Sequence, residues 1–278
     1  MSQPWGRRDI EMPAGIAIKR FPKRHDWPPP DNLARREWQA LTLIDKYAPG
    51  LAPAPVAADL AAPEPTVTMS RLPGTALRGV PVSPQQMAAM ARAVITLHAA
   101  IPPHELARVP PRLGNSGHQA QALRAWAGQQ PPPPASPVVA AATRSGLAWL
   151  VRSEHIWATG PDVPPVFGQA DGNLENFLWD GTGVRIIDFE YSGCSDRAWE
   201  LADITEHVSA WVDTEFDVPA FLEHFDLRPA EAARLRDSRR LFALCWLRLL
   251  RLQAPPHPRN PPGTVEKQAQ RLLDLLGG

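Results

Sequence analysis

Thirty-three prolines in 278 residues set the first limit on how this chain can fold. Proline fixes φ, removes a backbone donor and is excluded from helix interiors and central strands. Ordinary chains carry about 5% proline; here much of the excess is gathered at Pro28–Pro30, Pro131–Pro134 and Pro255–Pro262. These clusters read as stiff, extended connectors between elements. The other use of such stretches, as ligands for proline-recognition domains, is the alternative.

Between the connectors two kinds of pattern follow one another. Gly15 to Phe21 alternates as a strand, with Lys19 near its end. A helix is predicted over Asp31–Tyr47, with Asp31 as N-cap and Leu33, Trp38, Leu41 and Ile44 along it. Val67–Leu72 reads as a second strand running into the turn at Pro73–Gly74. Residues 1–72 are therefore expected to form a small mixed lobe, and residues 73–278 a larger, mainly helical one. In the second part Ser83 and Pro84 open a helix carrying Met87, Met90, Ala91, Val94 and His98. Further helices are expected at Gln119–Ala127, Val138–Val151, Arg197–Trp211, Pro219–Phe225, Pro229–Leu252 and Val265–Leu276. Two short strands, Asn176–Trp179 and Val184–Ile187, flank Asp180-Gly181-Thr182-Gly183, a strong hairpin turn. The order points to an α+β fold with segregated lobes.

Composition narrows the function. Lys plus Arg and Asp plus Glu number 29 each, so no global field favours a nucleic-acid or acidic-membrane partner. The two cysteines, Cys194 and Cys245, lack metal-site spacing and read as unpaired thiols of a reducing compartment. There is no signal-peptide pattern and no apolar run long enough to span a bilayer, which suits a cytoplasmic protein. The eight histidines form no HExxH or i,i+4 pair, and no G-x-S-x-G occurs. His98 falls at a helix end, where a cation suits the dipole, and reads as structural. The ten tryptophans read as packing residues.

The stretch Phe167–Asp203 carries the chemistry. Asp171 is followed five positions later by Asn176, and Asp188 heads an Asp-Phe dipeptide after the apolar run Val184-Arg185-Ile186-Ile187. Phosphoryl transfer needs a carboxylate to orient the attacking hydroxyl and hard oxygen ligands to hold magnesium on the phosphates. The ordered set matches H-R-D-x-x-x-x-N followed by D-F-G of protein kinases. It is closer to the small-molecule version, H-G-D-x-x-x-x-N with hydrophobic-D-F/W-D/E, here Ile187-Asp188-Phe189-Glu190. Ser195-Asp196-Arg197 is similar to the Gly-Asp-Pro-like turn that leads into the next helix. The chain thus resembles the aminoglycoside phosphotransferase family, most strongly over residues 165–205 and more weakly back to Lys19. The alternative for these residues is a capped turn and hairpin with surface carboxylates.

The resemblance implies a protein-kinase-like two-lobe fold and transfer of a nucleotide γ-phosphate to a hydroxyl of a small molecule. It implies Asp171 as catalytic base, Asn176 and Asp188 as magnesium ligands, and Lys19, held by Glu37, as the contact to ATP or GTP phosphates. It also places a base-binding hinge at Met69–Leu72, using main-chain groups of Ser70 and Leu72 with Met69 behind. Each has a plainer reading. Lys19, beside Arg20, Lys23 and Arg24, can belong to a solvated basic edge, Glu37 to a helix surface, and the hinge to an ordinary strand end.

Two departures stand out. Gln169 replaces the histidine two residues before the catalytic aspartate, although an amide can also donate and accept. Only 18 residues precede Lys19, with Gly6 and Gly15 and no G-x-G-x-x-G, so the N-terminal lobe is expected to be shortened, or its clamp lost to a start site placed too far downstream. These departures motivate the competing reading, a non-catalytic kinase-like binding protein with a degenerate nucleotide site. For the acceptor, Asp213, Glu215, Asp217, Glu223 and Asp226 form an acidic segment suited to a polycation such as an aminoglycoside, or else a solvated loop. The arginines from Arg234 to Arg251 read as a solvent face with internal ion pairs. Antibiotic resistance and metabolism of a sugar or amino alcohol both fit as purposes.

Overall fold

The alternating segment around Lys19 builds a small antiparallel sheet. A computed structural model describes residues 10–21, 33–128, 136–158, 163–253 and 258–278. The Asp31 cap, Lys23, Arg24, Gly6 and the prolines at 28–30, 131–134 and 255–256 lie outside these residues. Strands β1 (Ile10–Glu11), β2 (Ile16–Arg20), β3 (Pro55–Asp59) and β4 (Thr66–Ser70) pair in the order β1-β2-β4-β3. Helix α1 (Leu33–Tyr47) packs on β3 and β4 through Leu41 and Ile44, which are fully buried. Among the described residues, one strand precedes the lysine strand, joined to it by a turn with Gly15 at φ +78°.

Strand β5 (Thr75–Ala76) leads into the helical part: α2 (Pro84–Ala100), α3 (Pro103–Leu106), α4 (Ser116–Gly128), α5 (Pro137–Arg152) and α6 (Glu154–Ala158). The cap expected at Ser83 is present, since its hydroxyl accepts from the Gln86 N–H and the Gln86 amide accepts from the Ser83 N–H. Strand β6 (Pro165–Gly168) follows, then a 3₁₀ turn at Leu174–Asn176, β7 (Phe177–Trp179), β8 (Val184–Ile186) and β9 (Gly193–Asp196). The hairpin β7–β8 carries β5 on its edge, while β6 pairs with β9. Helices α7 (Arg197–Glu206), α8 (Val218–Leu222), α9 (Pro229–Leu252) and α10 (Thr264–Gly277) complete the chain.

The helical core centres on aromatic contacts. Trp199 of α7 lies 4.2 Å from the Phe242 ring of α9, and Trp157 meets Trp199 edge-on at 6.4 Å. Burying side chains of this size stabilises by about 2–3 kcal/mol each. The result is mixed α+β, with a small sheet-bearing lobe and a larger helical region. The helix expected over Arg197–Trp211 stops at Glu206, because His207 is extended and its ring accepts the Ser209 N–H, starting a separate 3₁₀ turn at Val208–Ala210. The His98 reading is also corrected: the ring is half-buried, and burial lowers its pKa to about 4, so it is neutral and no helix-end cation. Both cysteines are free thiols.

Candidate active site

Lys19 is not on a solvated edge. Strand β2 turns it inward, and its ammonium reaches Glu37 Oε2 at 2.9 Å, Asp188 Oδ1 at 2.5 Å and Glu190 Oε2 at 3.0 Å. Burial alone would lower the Lys19 pKa, but the three carboxylates outweigh it and hold the charge well above its usual range. Glu37, also buried, comes from α1, so the ordinary surface reading fails for it too. Burial pushes the Glu37 carboxyl upward while Lys19 pulls it down. Met69 is buried on β4. The Ser70 N–H is taken by the Ala54 carbonyl at 2.8 Å, so what Ser70 can offer a ligand from its main chain is its carbonyl.

The second half of the site hangs from Gln169. Its amide nitrogen donates to the carbonyls of Ile187 (3.0 Å) and Asp188 (2.9 Å), and its oxygen accepts the Asp171 N–H at 3.1 Å. One side chain therefore ties the Asp171 loop to the end of the β7–β8 hairpin, donating and accepting as an amide can. Asn176 joins the two as well: its carbonyl accepts from Ile187, and its amide lies 3.5 Å from the Asp171 carbonyl. Ala170 and Asp188 both take positive φ, +72° and +65°, conformations that cost a non-glycine residue about 1–3 kcal/mol. Such strain, at the two residues that aim the predicted base and metal ligand, needs a rigid surround.

That surround comes from residues the sequence reading did not single out. Arg112, buried between α3 and α4, donates to Glu200 Oε1 at 2.6 Å, Asp203 Oδ2 at 2.8 Å and the Ala170 carbonyl at 3.2 Å. Glu200 Oε2 in turn accepts the Ala170 N–H at 3.1 Å. Both polar main-chain groups of Ala170 are thus held by one buried ion pair. Burial would raise the Glu200 pKa, yet Arg112 and the Ser195 hydroxyl bring it below the usual range. The sequence does hint at this pair, since Glu200 and Asp203 share one face of α7 at i,i+3 spacing.

Asp171 is partly buried, with about 26% of its side chain exposed. Burial, then the charges of Asp188 and Asp203, raise its pKa to about 7. His207 Nε2 stands 3.8 Å from Asp171 Oδ1. The His207 Nδ1 accepts from the Ser209 N–H and meets the Ser209 hydroxyl at 2.7 Å, so the ring proton sits on Nε2 and faces Asp171. Burial, aided by Arg78, lowers the His207 pKa to about 3 and keeps the ring neutral.

A model of the phosphotransferase enzyme family matches residues 17–242, well over half of the sequence. The chain belongs to that family. Among curated proteins none matches the sequence. Solved structures give the fold. A choline/ethanolamine kinase family protein from Mesorhizobium loti is similar with TM-score 0.67 and 17% identity, over 97% of this chain and 85% of that one. Choline kinase LicA from Streptococcus pneumoniae follows at 0.61 and 15%, over 100% and 92%. Spectinomycin phosphotransferase, solved with ADP and spectinomycin, reaches 0.61 and 11%, over 100% and 90%. This member of the phosphotransferase family therefore has the protein-kinase-like fold of small-molecule kinases.

Proposed function

We propose that this protein transfers the γ-phosphate of ATP or GTP to a hydroxyl of a small molecule, the reaction class that covers aminoglycoside-like antibiotics and related metabolites. Asp171 accepts the hydroxyl proton as the acceptor oxygen bonds to phosphorus and the bond to the β-phosphate oxygen breaks, releasing the nucleoside diphosphate. Lys19, held by Glu37, meets the phosphates. Met69, Ser70 and Leu72 contact the base.

The observation that carries this reading is the convergence at Lys19. Its ammonium lies within 3.0 Å of carboxylate oxygens from α1 (Glu37) and from the segment after β8 (Asp188, Glu190). Oxygens of Glu37, Asp188 and Glu190 lie within 4.8 Å of one another, a hard donor set of the kind magnesium takes. Asn176 and Asp188 are the residues that would hold the ion, with Glu190 beside them. Magnesium, when bound, neutralises and orients the transferring phosphates.

Calorimetric titration with ATP and with GTP, each with and without magnesium, tests the reading. Affinity that strengthens with magnesium, and loses that gain in Asp188→Ala, is the expected result. Binding of neither nucleotide would overturn it, and binding without product from any acceptor would favour a non-catalytic kinase-like binding protein.

A further inference from the structure

We propose that His207 is a positioning residue for the phosphoryl transfer, holding Oδ1 of Asp171 so that Oδ2 takes the proton of the acceptor hydroxyl. The role rests on the reading above of Asp171 as the base. Two N–H donors address one carboxylate oxygen. The Asn173 N–H donates to Asp171 Oδ1 at 3.1 Å, and His207 Nε2 stands 3.8 Å from the same atom. The imidazole is itself fixed from behind. Its Nδ1 accepts the Ser209 N–H at 3.1 Å and meets Ser209 Oγ at 2.7 Å. Ser209 is fully buried, and its Oγ accepts the Leu174 N–H at 2.9 Å, leaving the hydroxyl hydrogen for Nδ1. The Trp246 ring stands at 85° to the imidazole, with centroids 4.7 Å apart.

The turn after α7 therefore meets the Asp171 loop at two points, Leu174 through Ser209 and Asp171 through His207. The chain of contacts begins and ends in the same loop, so the fit of that loop against the turn sets where the ring stands. A separation of 3.8 Å is longer than the ~2.7–3.2 Å of an N–H···O bond. Contacts to a catalytic base tighten when substrate is bound, and an ionised carboxylate draws a donor closer than a protonated one does. Less than about 1 Å of movement closes the gap. The neutrality of the ring matters as much as its place. Burial and Arg78 keep it uncharged, whereas a cation this close would favour the ionised carboxylate and weaken it as a base. As the acceptor oxygen bonds to phosphorus, its hydrogen passes to Asp171 Oδ2, and His207 keeps its Nε2–H throughout.

The test uses the full chain with MgATP and reads ADP release with water, inositol, choline or neomycin as acceptor probe, taking whichever is fastest. His207→Leu removes the donor and should lower kcat about 10–100-fold, with KM for MgATP changed less than about twofold. His207→Gln, whose amide nitrogen can take the place of Nε2, should recover most of that loss. In the Asp171→Asn background His207→Leu should cost nothing further, because its effect runs through the carboxylate. NMR adds a readout that does not depend on turnover. The His207 ring nitrogens should show a protonated Nε2 and a bare Nδ1, and Asp171→Asn should move the Nε2–H resonance. A glutamine variant as slow as the leucine one, with both melting as folded proteins, would overturn the positioning role. So would equal losses from His207→Leu with and without the Asp171 carboxylate, or a proton found on Nδ1. Where His207→Leu does not fold, the Nε2–H resonance decides: unmoved in Asp171→Asn, it sinks this role and leaves the phosphotransferase reading standing. Absence of ADP release from the unaltered protein with every probe would overturn that reading and this role with it.

Discussion

Asp171 pays for its position in stability. Its carboxyl titrates near 7 in the fold because burial, Asp188 and Asp203 all oppose ionisation. A carboxyl whose pKa is raised on folding contributes stability below its unfolded value, about 3.9, and loses it as pH climbs through the folded value. A general base must be ionised, so activity runs the other way, rising with pH through about 7. Asp171→Asn separates the two effects: turnover should fall by about 10²–10⁴, while the melting temperature at pH 8 should equal or exceed that of the unaltered protein. An asparagine variant that melts lower and still turns over would contradict the assignment. At Lys19 the sign reverses. Lys19→Met strands Glu37 as a buried charge without its cation, and should cost about 3 kcal/mol in urea unfolding. A loss near zero would mean that water already reaches this carboxylate.

At the scale of elements, the loop that presents Asp171 is only as firm as its neighbours. Arg112 and Glu200 hold both main-chain groups of Ala170, and Gly172 lies against α7 so closely that a Cβ would overlap the Asp203 carbonyl. Gly172→Ala should therefore displace the loop or α7 and lower kcat at least tenfold, with nucleotide affinity nearly kept. Arg112→Lys preserves charge but cannot reach Glu200, Asp203 and Ala170 together. It should lower kcat by about 10–100-fold with little change in nucleotide KM, whereas a merely structural arginine would change stability and leave the kcat-to-KM split untouched. These neighbours explain what the sequence could and could not reveal. Asp171, Asn176 and Asp188 sit close along the chain in a fixed order around a hairpin, so spacing alone exposed them. Arg112 is 58 residues from the Ala170 carbonyl it holds, and nothing local distinguishes it from a surface arginine. Strands β5, β6 and β9 were missed for a related reason. They have two to four residues each, too few for a period, and exist because a distant partner pairs with them. The end of α7 escaped because a helical pattern runs on past Glu206, while the capping ring of His207 breaks the backbone there.

On the scale of the whole molecule, the two-part architecture was legible because sheet-period and helix-period segments are segregated along the chain. What joins the parts was not. Arg36 of α1 donates to the carbonyls of Pro111 (3.0 Å) and Ser192 (2.9 Å), and Tyr47 donates to Glu105 at 3.1 Å. These bonds, together with Lys19–Asp188, run between the sheet-bearing part and the helical part. A nucleotide bound between Lys19 and Asp188 would touch both parts and couple their unfolding, so its binding energy should appear as stability of the entire chain. At about 100 times Kd, a ligand that binds only the folded state adds about 2.7 kcal/mol. For a chain of this size that corresponds to a rise in Tm of about 5 °C or more. ATP with magnesium should produce this rise in a single shifted transition, and ATP with EDTA a smaller one. In Asp188→Ala the two should coincide, because the difference belongs to a metal held by that carboxylate. If magnesium still raised Tm with ATP in Asp188→Ala as much as in the unaltered protein, the ion would have to be held elsewhere, and the pairing of Asp188 with Lys19 would be a structural ion pair alone.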